Sequence, residues 1–503
     1  MMNRIGRGQA IESIIESIQV MWFGRSRNPP SGNRSAPVVD TRYKIRAKAR
    51  PKKRSNRSEP DKFATFMVYK ERPVPCNRQL MTPNDSPARR GARTAVILLL
   101  GINIFNYVDR QILAAVEPSI RAAFFSPGDK NALAISGILG SAFLVTYMLV
   151  APALGWLADR FSRWVIIGLA VIFWSFATAG SGLAATFGIL FFTRILVGVG
   201  EGGYGPAAPT ILADLFPIET RGRIMSLFFA AIPVGSALGY VIGGAVLTHL
   251  TFVPEAQRWR WALCLVAVPG ILLGVWCLFQ RDPRAVHGVR PERQRATLND
   301  YLTIIRTRSY VFNCGAQTAM TFAAGGIGWW IAAYLKDRGL PTSSTEIFGT
   351  IIAVAGLTST LTGGWAADRL RKKYPGSYFL VSGWGMLCAF PLFVAMLFTP
   401  FPFAWVLMFG SVFFLFLNTG PSNTALANVS LPKVRATAFA FNILILHLLG
   451  DVPAFPAIGY VAGHGNWTIA FLFVSGMMLL ASILWLIGAK FLPADTARVE
   501  AAS

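Results

Sequence analysis

A six-residue stretch, GWLADR at residues 155–160, recurs as GWAADR at residues 364–369, 209 positions further along the chain. Each copy follows a long apolar stretch, and each lies at the same point within a series of six such stretches. A repeat of this kind is typical of membrane proteins that are built from two related bundles of helices. The sequence therefore predicts an all-α membrane protein with two pseudo-symmetric six-helix bundles.

Twelve candidate membrane spans support this fold. A spanning helix needs roughly 20 mostly apolar residues, because about 30 Å of hydrocarbon is crossed at about 1.5 Å per residue. The chain has 503 residues, of which 53% are hydrophobic and 14% are charged. We predict spans 1 to 12 near residues 94–117, 132–157, 164–184, 187–216, 224–250, 259–280, 309–335, 345–367, 377–398, 402–430, 434–461 and 467–491.

The spans divide the chain into regions. We predict an N-terminal bundle at residues 93–280, a cytoplasmic linker at 281–308, a C-terminal bundle at 309–491 and a C-terminal tail at 492–503.

Basic residues predict the orientation. The net charge is +24, and residues 1–93 contribute +14 of it, with 21 Lys or Arg and 7 Asp or Glu. Loops on the side of both termini hold 17 Lys or Arg, whereas the loops on the other side hold 6. Cytoplasmic loops are enriched in Lys and Arg, so we expect both termini in the cytoplasm and the chain in a bacterial inner membrane. The charge therefore indicates no nucleic-acid partner.

The first 92 residues contain no apolar stretch of spanning length and include a basic run at 42–57. Such a composition predicts disorder. Three interpretations are open: a disordered cytoplasmic tail, a transit peptide, or upstream sequence included by a start codon that was placed too early. We favour the third, because Met81 followed by TPNDSPARRGAR would form an ordinary short basic leader.

Four charged residues lie inside predicted spans of the first half: Asp109 and Arg110 in span 1, and Arg194 and Glu201 in span 4. Charges at the bilayer centre cost at least about 2.5 kcal/mol each, so such residues are candidates for function. Neighbouring residues of a helix point about 100° apart, so Asp109 and Arg110 cannot simply neutralise each other. We therefore predict a network that links spans 1 and 4 beside a water-filled cavity.

This network suggests a chemical role. Burial favours the protonated form of a carboxyl group and a nearby guanidinium favours the charged form, so Asp109 and Glu201 are candidates for proton coupling. An arginine stays charged and can hold an anion by paired hydrogen bonds. The alternative is a structural charge cluster.

In the second half, Asp451 has either a role in transport or a structural role before two prolines. For Glu117 and Asp214, near the ends of spans, we expect solvated structural roles.

Other features exclude some functions. Glycine and proline are dense in spans 4 and 5, which indicates close helix contact and bending. The five cysteines show no CxxC spacing, the four histidines are scattered, and the sequence has no Walker loop. We therefore predict no metal, no cofactor, no direct drive by ATP and no enzymatic activity.

The repeated loop motif resembles that of the major facilitator superfamily, in which this loop is implied to act as a latch for the outward-facing state. The residues that carry the resemblance, and that we predict to form the gating motif, are Gly155, Asp159, Arg160 and Arg163, with Gly364, Asp368 and Arg369 in the second half.

Within the superfamily the chain resembles the spinster-like lipid transporters. The motifs are NYVDR at 106–110, RILVGVGE at 194–201, APTILADLF at 208–216, AIPVGS at 231–236 and HLLGD at 447–451. That family is implied to move lysophospholipids or sphingoid phosphates, in some members with proton coupling. On this basis we predict that the substrate contacts Arg110, Arg194, Asn106, Tyr107, Tyr204 and Asp451.

Two other hypotheses remain. The stretch EGGYGP at 201–206 is richer in glycine than the spinster form and is similar to that of organic anion:proton symporters, which favours a small sugar acid or aromatic acid. Such a substrate needs a compact polar pocket, and the candidates in the second half are few: Gln317, Thr321, Asn418, Asn423 and Asn442. A non-transporting receptor or scaffold is disfavoured by the motif's presence in both halves. We expect a monomer whose partners are the lipid or organic anion, protons and membrane lipids.

Overall fold

The computed structural model describes residues 87–216, 218–282, 303–431 and 434–502. Most of the segment predicted to be disordered, and residues 283–302 of the predicted linker, lie outside this range. The first helix begins at Pro87, inside the segment predicted to be disordered. The predicted C-terminal tail forms a helix, Leu492–Ala502.

Each half contains six spans. In the first half they are span 1 (Pro87–Phe124), span 2 (Ala132–Arg160), span 3 (Arg163–Gly182), span 4 (Phe187–Glu201 and Tyr204–Leu215), span 5 (Ile218–His249) and span 6 (Glu255–Leu278). In the second half they are span 7 (Arg308–Asp337), span 8 (Ser344–Arg371), span 9 (Ser377–Phe398), span 10 (Phe403–Phe416 and Thr419–Asn428), span 11 (Arg435–His464) and span 12 (Trp467–Gly488).

Among the described residues, ten of these spans are long and apolar enough to cross a membrane by length and composition alone. The other two are span 4, which is interrupted at Gly202 and Gly203, and span 7, which carries the amides Asn313 and Gln317. The twelve-span fold is thus confirmed, and three of the spans are not uniform α-helices. Span 10 is interrupted near Asn418, and span 11 contains a π-helix at His447–Asp451.

The two halves repeat the same packing. In the first half span 1 packs on spans 5 and 6, span 2 on span 4, and span 3 on spans 4 and 6. In the second half span 7 packs on spans 11 and 12, span 8 on span 10, and span 9 on spans 10 and 12. Adding six to each span number converts one set of pairs into the other. The internal sequence repeat therefore corresponds to a structural repeat of two six-helix bundles.

Two equivalent interfaces, span 2 on span 11 and span 5 on span 8, supply most of the contact between the bundles, and span 1 also packs on span 7. Each of these two interfaces contains a glycine at a point of close approach. A methyl group built on Gly137 would lie 2.7 Å from the Phe455 carbonyl oxygen, and one on Gly349 would lie 2.7 Å from the Ala237 carbonyl oxygen. Because glycine has no side chain beyond a hydrogen atom, the backbones of the two bundles can approach closely here, as they do at small residues between membrane helices.

These contacts lie toward one end of the molecule. We call the end with loops 161–162 and 372–376 and the C-terminal helix the basic face, and the other end the opposite face. Gly137 and Gly349 belong to the parts of spans 2 and 8 next to the opposite face. Near the basic face, Trp156 of span 2 and Trp365 of span 8 are 56% and 66% exposed. The described contacts between the bundles therefore concentrate at the opposite face, while these two tryptophans near the basic face are uncovered.

Tyr240 of span 5 links both bundles in the closed region. Its side chain is fully buried, and its ring meets Phe348 of span 8 edge-on with centroids 5.0 Å apart. Its hydroxyl lies 2.9 Å from Gln111 Oε1 of span 1 and within hydrogen-bonding distance of the Gly328 carbonyl of span 7. The hydroxyl thus joins the N-terminal bundle to the C-terminal bundle.

We expect Tyr240→Phe to favour opening of the opposite face, because it removes a hydrogen bond that exists only while that face is closed. A bond worth about 1 kcal/mol changes the ratio of the two states about fivefold. Electron–electron double resonance between spin labels at Phe252 and Phe403, two exposed positions at the opposite face, should show a larger population at long distance.

Tyr204→Phe is the matched control. Its hydroxyl is similarly buried but donates to the Leu99 carbonyl, at 2.8 Å, within the N-terminal bundle. Identical distance distributions for the two variants would contradict the linking role of Tyr240.

Candidate functional site

Four charged side chains of spans 1 and 4 pair crosswise in the interior of the N-terminal bundle. Arg110 contacts Glu201 Oε2 through Nε at 2.8 Å and Nη2 at 2.7 Å. Arg194 Nη1 lies 3.7 Å from Asp109 Oδ1. Asp109 and Arg110 thus find partners on another helix, as their angular separation requires. The predicted network between spans 1 and 4 is present in the structure.

Burial distinguishes the members of this network. Asp109, Arg194 and Glu201 are only 2%, 1% and 1% exposed, whereas the Arg110 side chain is 18% exposed. The second carboxylate oxygen of Asp109, Oδ2, accepts a hydrogen bond from the Thr178 hydroxyl of span 3 at 2.5 Å. Arg110 is consequently the member of the network that reaches the surface of the bundle.

The other residues predicted to bind substrate in this half divide into two groups. Asn106 is buried beside the Glu201 carboxylate, and Tyr107 is half-buried beside Arg110. Tyr204 is 4% exposed, donates to a backbone carbonyl of span 1 and packs on Trp174. The structure thus gathers Asn106 and Tyr107 around the exposed arginine and places Tyr204 in the bundle core.

Asp451 lies in the second bundle, at the end of the π-helix in span 11. Its Oδ2 is 2.6 Å from His447 Nδ1, and it is 8% exposed. It packs on span 7, where a methyl group on Gly325 would collide with its carboxylate. A π-helix leaves one turn of helix irregularly bonded and occurs often at functional sites. His447 was not named as a site residue from the sequence, although its spacing of four residues from Asp451 places both side chains on one face of a helix.

The gating motif of the first half centres on Arg163. This residue is 4% exposed and contacts Asp214 at 2.7 Å and Asp282 at 2.9 Å, while Thr210 accepts a hydrogen bond from it at 3.1 Å. Arg160 instead lies exposed over the Trp156 ring. Gly155 packs against span 4, where a methyl group on it would lie 3.3 Å from Pro206. Of Asp159 the structure describes the backbone only.

The second copy of the motif is arranged differently. Asp368 Oδ1 accepts a hydrogen bond from the Tyr378 hydroxyl at 2.9 Å, and Arg369 lies over the Trp365 ring. Gly364 lies next to Gly420 of span 10. The position equivalent to Arg163 is Lys372, which is exposed. Among the described residues, only the first copy of the repeat holds an ion cluster around a buried arginine.

Two acidic residues have environments that the sequence did not predict. Glu117, expected to be solvated, is 1% exposed and accepts hydrogen bonds from Ser136 at 2.7 Å and Arg121 at 3.1 Å. Asp282, not singled out in the sequence, completes the Arg163 cluster. A signal for Asp282 was available, because it follows span 6 directly and therefore lies at the same face as Arg163.

The C-terminal bundle has a neutral polar centre. Asn442 donates to Gln317 Oε1 at 2.6 Å, and Gln317 donates to Ser422 Oγ at 3.0 Å. Trp485 donates to Asn313 Oδ1 at 2.9 Å. These side chains, from spans 7, 10, 11 and 12, are all buried. They bond to one another and therefore offer few free groups to a ligand.

Two bundles that meet mainly at one face, with an ion-pair network buried in one of them, are the architecture of a secondary transporter. The profile of the Major Facilitator Superfamily matches residues 99–452.

Comparison with known proteins gives the narrower class. Over 73% of this chain the sequence is 32% identical to protein spinster of Drosophila melanogaster and 34% identical to the sphingosine-1-phosphate transporter SPNS2 of Mus musculus. The matches span 61% and 69% of those proteins, respectively. A bacterial homologue of human spinster, crystallised in an inward-facing and unoccupied conformation, superposes with a TM-score of 0.68 at 20% identity, over 82% of this chain and 98% of that one. The chain belongs to the spinster-like family of the major facilitator superfamily, which consists of transporters and not of enzymes.

We expect Arg163→Ala to destabilise the fold, because it leaves Asp282 and Asp214 without their shared cation. Breaking a buried ion pair costs about 3–5 kcal/mol. Thermal unfolding of the purified protein should therefore begin several degrees lower. Arg160→Ala is the matched control, since exposed arginines contribute about 0–1 kcal/mol. A loss of stability no larger for Arg163→Ala than for Arg160→Ala would contradict the structural role of the cluster.

Proposed function

We propose that this transporter moves an amphiphilic anionic lipid, such as a lysophospholipid or a sphingoid phosphate, by alternating access coupled to protons. The observation that carries the proposal is the charge-balanced network of Asp109, Arg110, Arg194 and Glu201, in which Arg110 alone reaches the bundle surface.

The charge of this network supports the proposed proton coupling. With both carboxylates ionised, the two arginines are neutralised. A proton on either carboxylate leaves one net positive charge in a poorly hydrated site, and such a charge favours an anion nearby. Both contacts from Arg110 go to Oε2 of Glu201, while Oε1 accepts no hydrogen bond among the described residues. Glu201 can therefore take up a proton at Oε1 without first losing its place beside Arg110.

Anion binding and protonation of Glu201 both change the interactions of the Arg110 guanidinium. An anionic headgroup that reaches Arg110 competes with ionised Glu201 for its N–H groups, and protonation of Glu201 removes that competition. Binding of the anion and binding of the proton then favour each other to the same extent, as thermodynamic linkage requires. Asp109 and Arg194 are more buried than Arg110, and their opposite charges neutralise each other.

Two observations favour a lipid over a small organic anion. The relative SPNS2 is named as a sphingosine-1-phosphate transporter and is 34% identical to this chain. In addition, Gln317 and Asn442 of the C-terminal bundle bond to each other and Asn313 bonds to Trp485, so these amides are not free to line the compact polar pocket that a sugar acid needs. An apolar tail requires no such partners from the second bundle.

Loop charge supports an orientation with the basic face in the cytoplasm of a bacterial inner membrane. In that orientation the structure corresponds to an inward-open state. The bundles at residues 93–280 and 309–491 then rock about the two glycine-lined interfaces, and Asp451 approaches the substrate from the second bundle.

Glu201→Gln is expected to abolish the stimulation of transport by a pH gradient, because the amide cannot exchange a proton, while preserving the fold. In proteoliposomes that take up fluorescent lysophosphatidylglycerol, we expect at least tenfold less stimulation than in the wild type. Glu500→Gln is the matched control, since this carboxylate is exposed in the C-terminal helix. Full stimulation in Glu201→Gln would exclude Glu201 as the coupling residue.

The same vesicles test the substrate class. Uptake of labelled gluconate without uptake of the lysolipid would favour the small organic anion. Uptake of the lysolipid alone would support the lipid.

A further inference from the structure

Three aromatic rings surround the Arg110 guanidinium. Its central carbon lies 5.1 Å from the ring centroid of Tyr107, 4.9 Å from that of Phe143 and 5.2 Å from that of Tyr147. A guanidinium within about 6 Å of a ring face is attracted by the negative potential of that face. Tyr107 belongs to the motif of span 1, whereas Phe143 and Tyr147 come from span 2 and were not predicted as site residues.

Span 2 presents these two rings where it packs against the glycines of span 4. A methyl group on Gly198 would lie 2.5 Å from the Phe143 carbonyl oxygen, and one on Gly205 would lie 2.7 Å from the Tyr147 hydroxyl. Phe143 and Tyr147 are one helical turn apart, and their rings stack with centroids 6.3 Å apart. The glycines of span 4 therefore allow an aromatic pair to reach the ionic network.

Phe143 also contacts the second arginine, since its ring centroid lies 5.7 Å from the central carbon of Arg194. One ring thus faces the cations of both ion pairs. Because the attraction of a ring face does not depend on a titrating proton, these contacts persist whether Glu201 is charged or neutral.

We propose that Phe143 and Tyr147 are positioning residues that hold Arg110 at the bundle surface when Glu201 is protonated. Protonation removes the charge that pairs with Arg110, and without the rings the guanidinium would be free to swing into the cleft. The rings keep it in place, so its N–H groups are presented to an anionic headgroup. This role deepens the proposed function and rests on it for the identity of the anion.

The first experiment needs no substrate. Glu201→Gln imitates the protonated state, and phenylglyoxal modifies accessible arginines at a rate that peptide mass spectrometry can follow. In the Glu201→Gln protein, adding Tyr147→Leu or Phe143→Leu should increase the modification rate of Arg110 at least threefold, referenced to the exposed Arg498. In protein with an intact Glu201, the same substitutions should have a smaller effect, because the ion pair still holds Arg110.

Two control variants distinguish a loss of Arg110 positioning from a general loosening of helix packing. Tyr147→Phe keeps the ring face and should restore the slow rate. Phe322→Leu removes a ring of equal burial that packs on Phe473 in the second bundle, and it should leave Arg110 unaffected. Equal modification rates of Arg110 with and without the rings, in the Glu201→Gln protein, would overturn the proposal.

The second experiment measures the consequence for binding. Lysophosphatidylglycerol carries a fixed negative charge near neutral pH, so it probes the anion site without titrating. In the Glu201→Gln protein, Tyr147→Leu should weaken its binding about tenfold, and Tyr147→Phe should restore it. Unchanged affinity in Tyr147→Leu would contradict the positioning role. Failure of this lipid to bind any variant would contradict the proposed substrate, while the modification rates would still decide the role of the rings.

Discussion

Charged groups inside a membrane protein need partners, and this requirement explains the arrangement of the N-terminal bundle. Asp109 and Arg110 are adjacent on one helix and cannot serve each other, so each depends on a residue of span 4. The pairing fixes spans 1 and 4 at a defined distance and rotation. It also leaves the network neutral only while both carboxylates are ionised, so one proton changes the charge that the bundle presents at Arg110.

The packing around the network follows from the same requirement. Glycines in span 4 admit the backbone and the aromatic side chains of span 2, so Arg110 is surrounded by rings whose faces attract a cation. The C-terminal bundle has no comparable network among its described residues. Gln317 and Asn442 bond to each other, and His447 contacts Asp451 at the π-helix of span 11. The two bundles share a fold and differ in chemistry.

Much of this arrangement could be predicted from the sequence. The twelve spans follow from apolar length, the two halves from the repeated motif, and the crossed pairing from the helical angle between Asp109 and Arg110. The sequence could not show that Arg110 alone reaches the surface, because exposure depends on how spans 2 and 4 pack. It also could not show the interruption at Gly202 and Gly203, since a glycine pair can as well lie within a tightly packed continuous helix.

The central claim is that one guanidinium, Arg110, is shared between a protonatable carboxylate and an anionic substrate. Isothermal titration calorimetry of lysophosphatidylglycerol binding, in two buffers with different enthalpies of ionisation, measures the protons taken up with each lipid. The account predicts uptake of up to about one proton per lipid in the wild type and none in Glu201→Gln. Binding to the wild-type protein without any proton uptake, across the neutral pH range, would contradict it.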